Sequence, residues 1–194
     1  MFAEHQSSHA GTDVRIPELV RAIHASGAKA CIVVTGTGTQ AIAWLFAEPG
    51  ASRTVLDAQV PYSSAALDEY VGGPAEQHVS ATEAVRMAQA ARARAGKLAA
   101  LSKLDRPALL VGVGCTGAIV TDRVRRGEDR VHVAWTDGRT SKAYSLVFAK
   151  EARDRRGEEY TSSALVLNAL AQACGLVARL PLNLLPGEMV IESE

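Results

Sequence analysis

Three hydroxyl side chains, Thr35, Thr37 and Thr39, alternate with Gly36 and Gly38 directly after the apolar run Cys31–Val34. A helix-like stretch opens at Gln40. Backbone N–H groups at a helix N-terminus attract anions, and neighbouring hydroxyls add donors, so this loop could hold a phosphate or an oxyanion. The same residues read as G-x-G-x-x-A with Asp57 about twenty positions on, the spacing of a dinucleotide fingerprint. A third reading is a tight turn in which glycine supplies a positive φ. A second run, Gly112-Val-Gly114-Cys-Thr116-Gly117, is a literal G-x-G-x-x-G after a strand. The residues after it, Ala118–Glu128, mix β-branched and charged types without a helical face, so the helix that should receive a pyrophosphate is missing.

Other residues could do chemistry, each beside a plainer reading. Cys115 could be a thiol nucleophile, but no histidine neighbours it in sequence, and a packed thiol is favoured. His132 lies in a strand pattern, which suits a packed histidine better than a base. His5 and His9 have i, i+4 spacing in a polar arm and make weak metal ligands, so no metal site is expected. Arg123, Arg125 and Arg126, with Lys150, Arg153, Arg155 and Arg156, form either a solvated basic face or a phosphate clamp. Trp44 and Trp135 suit core or interface anchors.

These residues must be positioned by regular elements. Pro17 opens a helix that Gly27 ends. Strand patterns cover 29–34, 54–60 and 108–113, and helical ones cover 40–47, 63–71 and 81–99. Ser80 and Glu83 form a capping box before the alanine-rich helix. Asp137-Gly138 between apolar runs predicts a β-hairpin of 130–135 with 142–149. A last helix is expected over 157–174, with Leu165, Leu167, Ala169 and Leu170 apolar. Helices alternating with strands, plus one hairpin, predict a three-layer α/β/α domain with a mixed sheet. The expected division is an arm at 1–14, the domain at 15–178 and a surface tail at 179–194.

Bulk properties exclude several classes. The 194 residues suffice for one domain with a real core. Lysine plus arginine (21) equals aspartate plus glutamate (21), which argues against broad binding of nucleic acid or an anionic membrane. Three well-separated cysteines do not suggest a disulfide framework. The polar start lacks a signal-peptide pattern, and no long apolar run suggests a membrane span. A cytoplasmic protein is therefore expected.

The order of motifs resembles a family. The first loop, Pro49-Gly50-Ala-Ser, Val60-Pro-Tyr62-Ser63 and Val79-Ser80 are similar to the CinA C-terminal domain, which is also the stand-alone nicotinamide mononucleotide deamidase. That family shows E-S-C-T-G-G, a P-G-S or A-G-S turn, Y-S-x-x-x-K and a V-S helix start, and the likeness spans roughly residues 18–176. The second Gly run resembles the family's G-x-A-G-P strand end, and Gly127 with "DRVHVAW" resembles its G-x-V strand. A still closer likeness is to the CinA-like segment that precedes a nucleotidylyltransferase-like domain in some plant and fungal proteins.

The resemblance implies a nucleotide ligand, a homo-oligomer and no separate cofactor. It places Thr35 at the nucleophile and Tyr62 as a proton relay. It implies ligand contacts from Gly36, Thr37, Gly38, Thr39, Ser63, Ser80, Gly112, Gly114, Thr116, Arg123 and Arg126. Three departures bear on chemistry: Thr35 replaces the family serine, Leu67 its lysine, and Val34 its glutamate. A hydroxyl nucleophile needs a base within reach, and leucine cannot serve. Nucleotide binding with lost or altered amidohydrolase chemistry is therefore expected, ahead of an active amidase using Thr35 and of an NAD-dependent enzyme.

Overall fold

The computed structural model describes residues 13–102, 108–123 and 126–193. The arm residues 1–12, with His5 and His9, lie outside the described residues, as does Arg125.

Six strands form one mixed sheet in the order β2-β1-β3-β4-β5-β6. They are β1 (Lys29–Thr35), β2 (Val55–Gln59), β3 (Leu110–Ala118), β4 (Arg130–Thr136), β5 (Ser141–Val147) and β6 (Val190–Ser193). β1 pairs in parallel with β2 and β3, and the remaining pairs are antiparallel. The helices are α1 (Arg15–Ala25), α2 (Thr39–Ala47), the single turn α3 (Ala51–Thr54), α4 (Ser64–Val71), α5 (Ala81–Leu101) and α6 (Arg155–Ala173).

Alternation along β1 makes the layers. Cys31 and Val33 face α4 and α5, packing with Leu67, Met87, Ala91 and Ala95. Ala30, Ile32 and Val34 face α1, α2 and α6, in a core with Ile23, Leu45, Leu167 and Leu170. The expected three-layer α/β/α arrangement is what the chain adopts. Burial of β1 on both faces explains its unbroken apolar sequence.

The second glycine run is strand, not a turn. All of Gly112–Gly117 lies within β3, paired with β1 on one side and β4 on the other. Val111, Val113 and Cys115 enter the α6-side core. Gly112 and Gly114 face α5, whose backbone comes so near that a Cβ on Gly112 would lie 2.0 Å from the Ala88 carbonyl oxygen. On Gly114 it would lie 2.4 Å from the Ala84 carbonyl oxygen. The alanines of α5 and these glycines are two halves of one close packing. Because β3 continues into an antiparallel partner, no crossover follows Gly117, and the helix a dinucleotide site would need is absent among the described residues.

The C-terminal residues also differ from the surface tail expected. Leu180 is buried, and both its backbone groups are met by the Asn168 amide, at 2.7 and 2.9 Å. Val190–Ser193 then adds the sixth strand on the β5 edge. The expected β4–β5 hairpin forms, with Asp137 Oδ1 accepting from the Arg139 and Thr140 N–H groups, each at 2.7 Å.

Candidate functional site

β1 ends at Thr35, and the chain reverses through Gly36 at φ +76°. A Cβ on Gly36 would lie 1.9 Å from the Gly117 carbonyl oxygen, so only glycine fits. Thr35 is buried, and its hydroxyl donates to the Pro61 carbonyl at 2.9 Å. Beyond Pro61, Tyr62 is exposed and Ser63 caps α4, its Oγ accepting from the Ala66 N–H at 3.2 Å. The segment between α4 and α5 brings His78 to the same place. Thr116 of β3 donates to the His78 carbonyl at 2.6 Å, and Arg130 of β4 donates to the Val79 carbonyl at 3.3 Å. His78 Nε2 lies 2.9 Å from Asp68 Oδ1 of α4. Thr35, Tyr62, Ser63, Leu67, His78 and Thr116 line an open cavity of about 250 Å³.

The expected hydroxyl loop divides in two. Only Thr35 and Gly36 face this cavity. Thr37, Gly38 and Thr39 are taken by Glu159, one turn into α6. Its Oε2 accepts from the Thr37 hydroxyl at 2.6 Å and the Gly38 N–H at 3.0 Å. Its Oε1 accepts from the Thr39 hydroxyl at 2.8 Å and the Gln40 N–H at 3.0 Å. Burial alone would push the Glu159 carboxyl up. The hydrogen bonds from Thr37, Gln40, Thr39 and Gly38 outweigh it and hold the group below its ordinary value. The N-terminus of α2 therefore does bind an anion, and the anion is part of the chain.

Several other sequence candidates sit elsewhere. Gly112 and Gly114 are sealed beneath α5. Ser80 caps α5, accepting from the Glu83 N–H at 3.1 Å, and borders a separate cavity with Glu76 and Arg86. Arg123 borders a small cavity with Asp129 and Lys150, and Arg126 is exposed. Lys150 is held by Asp129 at 3.2 Å, and Arg153 by Glu188. Asp57 is engaged by Arg94 and by Gln59. His132 bonds Ser145 at 2.8 Å, and burial, aided by Arg130, pushes its imidazole down. Burial raises all three thiols: Cys31 reaches about 11, and Cys115 and Cys174 also move up. None is a ready nucleophile. Among the described residues, no cluster of three or more His, Cys, Asp or Glu could hold a metal ion. No described helix is long and apolar enough to cross a membrane.

A larger open groove of about 730 Å³ follows the β2 edge between α4 and α5. Its wall holds Arg94, already paired with Asp57, and Tyr70, whose phenol is pushed up to about 12, chiefly by burial. The smaller cavity carries more usable chemistry. Sequence reasoning missed its histidine. The only available signal was an imidazole in the glycine- and proline-bearing segment 72–80, with Asp68 ten residues earlier.

In the family pattern the position of Leu67 belongs to a lysine. Here Leu67 is 2 % exposed and packs with Cys31, Val33 and Met87. The Thr35 proton is directed at a peptide carbonyl, which cannot accept it at neutral pH. At Thr35 and Leu67 the arrangement lacks the hydroxyl–amine pair that would activate a nucleophile.

No family profile and no curated protein sequence matches the chain. Solved structures do. A competence/damage-inducible protein, CihA, from Agrobacterium tumefaciens superposes with a TM-score of 0.66 at 21 % identity, covering 82 % of this chain and 95 % of that one. A CinA superfamily protein from Escherichia coli gives 0.61 at 19 %, covering 84 % and 92 %. The competence damage-inducible protein A from Klebsiella pneumoniae gives 0.62 at 19 %, covering 84 % and 99 %. Superposition over 82–84 % of this chain and 92–99 % of those proteins makes the fold of this chain that of the CinA superfamily proteins.

Proposed function

We propose that the chain binds a small nucleotide in the cavity between Thr35 and Tyr62, and that it has lost hydroxyl–lysine amide hydrolysis. The observation that carries this is the Thr35 hydroxyl donating to Pro61, above a buried Leu67 where a base would stand. The volume of about 250 Å³ suits the base and part of the sugar of a mononucleotide better than a dinucleotide, since ordinary ligand pockets begin near about 300 Å³. Tyr62, exposed at the rim, offers a ring for stacking. Assembly as a homo-oligomer belongs to the same reading, and light scattering on the eluted protein tests it.

The binding test is calorimetry and thermal shift with nicotinamide mononucleotide and adenine nucleotides. A raised melting temperature, with the ligand recovered intact, is expected. Ammonia release comparable to a Ser–Lys relative in the same assay would instead establish an active amidase. No shift with any nucleotide at millimolar concentration would remove the binding reading.

A further inference from the structure

The groove along the β2 edge is built from two neighbouring stripes of one helix. α5 buries Ala84, Met87, Ala88, Ala91 and Ala95 against the sheet. The next stripe, Ala90, Ala93, Arg94 and Lys97, has i, i+3, i+4, i+7 spacing, and all four residues line the groove. α4 supplies Ala66, Glu69, Tyr70 and Val71 to the facing wall. Ala66, Ala90 and Ala93 are too small to fill the space between the helices, which leaves about 730 Å³.

Charge is divided across this space. Glu69 is exposed on α4 and Lys97 is exposed on α5. Among the described residues, neither side chain makes an ion pair or a hydrogen bond, so they do not pair with each other. Arg94 gives its Nε–H to Asp57, which offsets its charge and leaves its two terminal nitrogens without a partner among the described residues. Those nitrogens have the fork geometry that a carboxylate matches. The Tyr70 phenol, pushed up to about 12, stays protonated at neutral pH and adds no charge. The groove therefore has a positive pole on α5, a negative pole on α4 and a floor of small apolar side chains.

We infer that this groove binds a small zwitterion, a ligand carrying an ammonium and a carboxylate on an apolar body, as an apolar amino acid or dipeptide does. The carboxylate lies toward Arg94 and Lys97, the ammonium toward Glu69, and the apolar part on Ala66, Ala90 and Ala93. A few charged groups over a largely apolar wall is the usual make-up of a small-molecule site, and the volume is of the usual size. A monoanion would leave Glu69 unmet, and a monocation would leave Lys97 unmet. Each charge lost from the ligand should weaken binding about three- to fivefold, the range of a solvent-exposed ion pair. The groove and the Thr35 cavity share no lining residue, so the inference stands apart from the nucleotide reading.

The test is NMR shift mapping at pH 6.5 and low salt, titrating L-leucine, L-phenylalanine and L-leucyl-L-leucine to tens of millimolar. Each is compared with its N-acetyl form, which lacks the ammonium, and its C-terminal amide, which lacks the carboxylate. Shifts should centre on Ala66, Tyr70, Ala90 and Ala93, and each free form should bind about three- to fivefold tighter than either blocked form. Tighter binding of the amino acids or of the dipeptide supports the inference equally and sets the length of the ligand. Glu69→Gln should remove the preference over the N-acetyl form and keep the preference over the amide, and Lys97→Gln should do the reverse. Neither side chain has a partner to lose among the described residues, so both variants should keep the wild-type melting temperature. No shifts with any probe, shifts centred on Thr35 and His78, equal affinities for free and blocked forms, or preferences that neither variant alters would overturn the inference.

Discussion

Removing the Glu159 carboxylate should unpin α2, and the geometry sets how much that costs. Each carboxylate oxygen serves one hydroxyl and one backbone N–H of the α2 start and its loop, and Oε1 also accepts from the Ser163 hydroxyl at 3.2 Å. In Glu159→Ala, Thr39 is exposed and can turn to water, but Thr37 is 1 % exposed and Gly38 is also buried. Two stranded buried donors at about 1–3 kcal/mol each, eased by water entering the gap, give a loss of about 3 kcal/mol. For a chain of this length that corresponds to roughly 6–12 °C in melting temperature. Glu159→Gln is not expected to be benign. Its NH₂ must face one of the two donor pairs, so a loss of about 2 kcal/mol should persist. The pH dependence is the sharper signature. The carboxyl lies below its ordinary value of 4.5 in the folded protein, so the unfolded chain binds the proton more readily. The contribution is whole above pH 4.5 and is lost as pH falls through the depressed folded value. Urea unfolding followed by circular dichroism and tryptophan fluorescence, at neutral pH and near pH 3.5, tests this. A wild-type and Glu159→Gln difference under about 0.5 kcal/mol at neutral pH, or one that fails to narrow in acid, would refute the clamp.

Gly114→Ala should destabilise by more than about 3 kcal/mol or prevent folding, since the new methyl would meet α5 backbone that cannot yield; urea midpoints measure it. Leu67→Lys places an amine among Cys31, Val33 and Met87, so it should lower stability by several kcal/mol, on the order of a buried unpaired charge, without producing ammonia release; a stable, active variant would show that an amine here can leave the apolar packing and reach Thr35 through the cavity that Leu67 borders. The three thiols should react slowly with a disulfide reagent at pH 8 and rapidly in denaturant, because burial raises each of them; fast labelling of the native protein would contradict their packing.

What the sequence revealed followed local period, and what it hid followed long-range contact. The strand β1 and the Asp137-Gly138 hairpin are legible because alternation and turn chemistry act over a few residues. β3 misled because glycines suggest turns. Yet Val111, Val113 and Cys115 alternate with Gly112, Gly114 and Thr116, and that period of two is strand-like once the alanines of α5 are read as its partner. Glu159 carried no local signal, since its partners lie about 120 residues earlier, at the start of α2 and in the loop before it. β6 is four residues long after Pro186-Gly187, too short for a pattern to stand out. Asp68 and His78 meet only because α4 ends at Gly72 and the chain turns back toward β3.

The two halves of the hydroxyl loop now make one argument about charge. Thr35, Thr37 and Thr39 are two residues apart, but the reversal at Gly36 sends Thr35 to the cavity and the other two to Glu159. The positive pole of α2 is thereby met by a carboxylate that cannot diffuse away. Any ligand phosphate offered to that helix would have to displace Glu159 from its four donors on α2 and its loop. On the cavity side, the Thr35 and Thr116 hydroxyls give their hydrogens to the Pro61 and His78 carbonyls. The anion site that the glycine motif suggested at α2 is therefore already filled by the chain's own carboxylate.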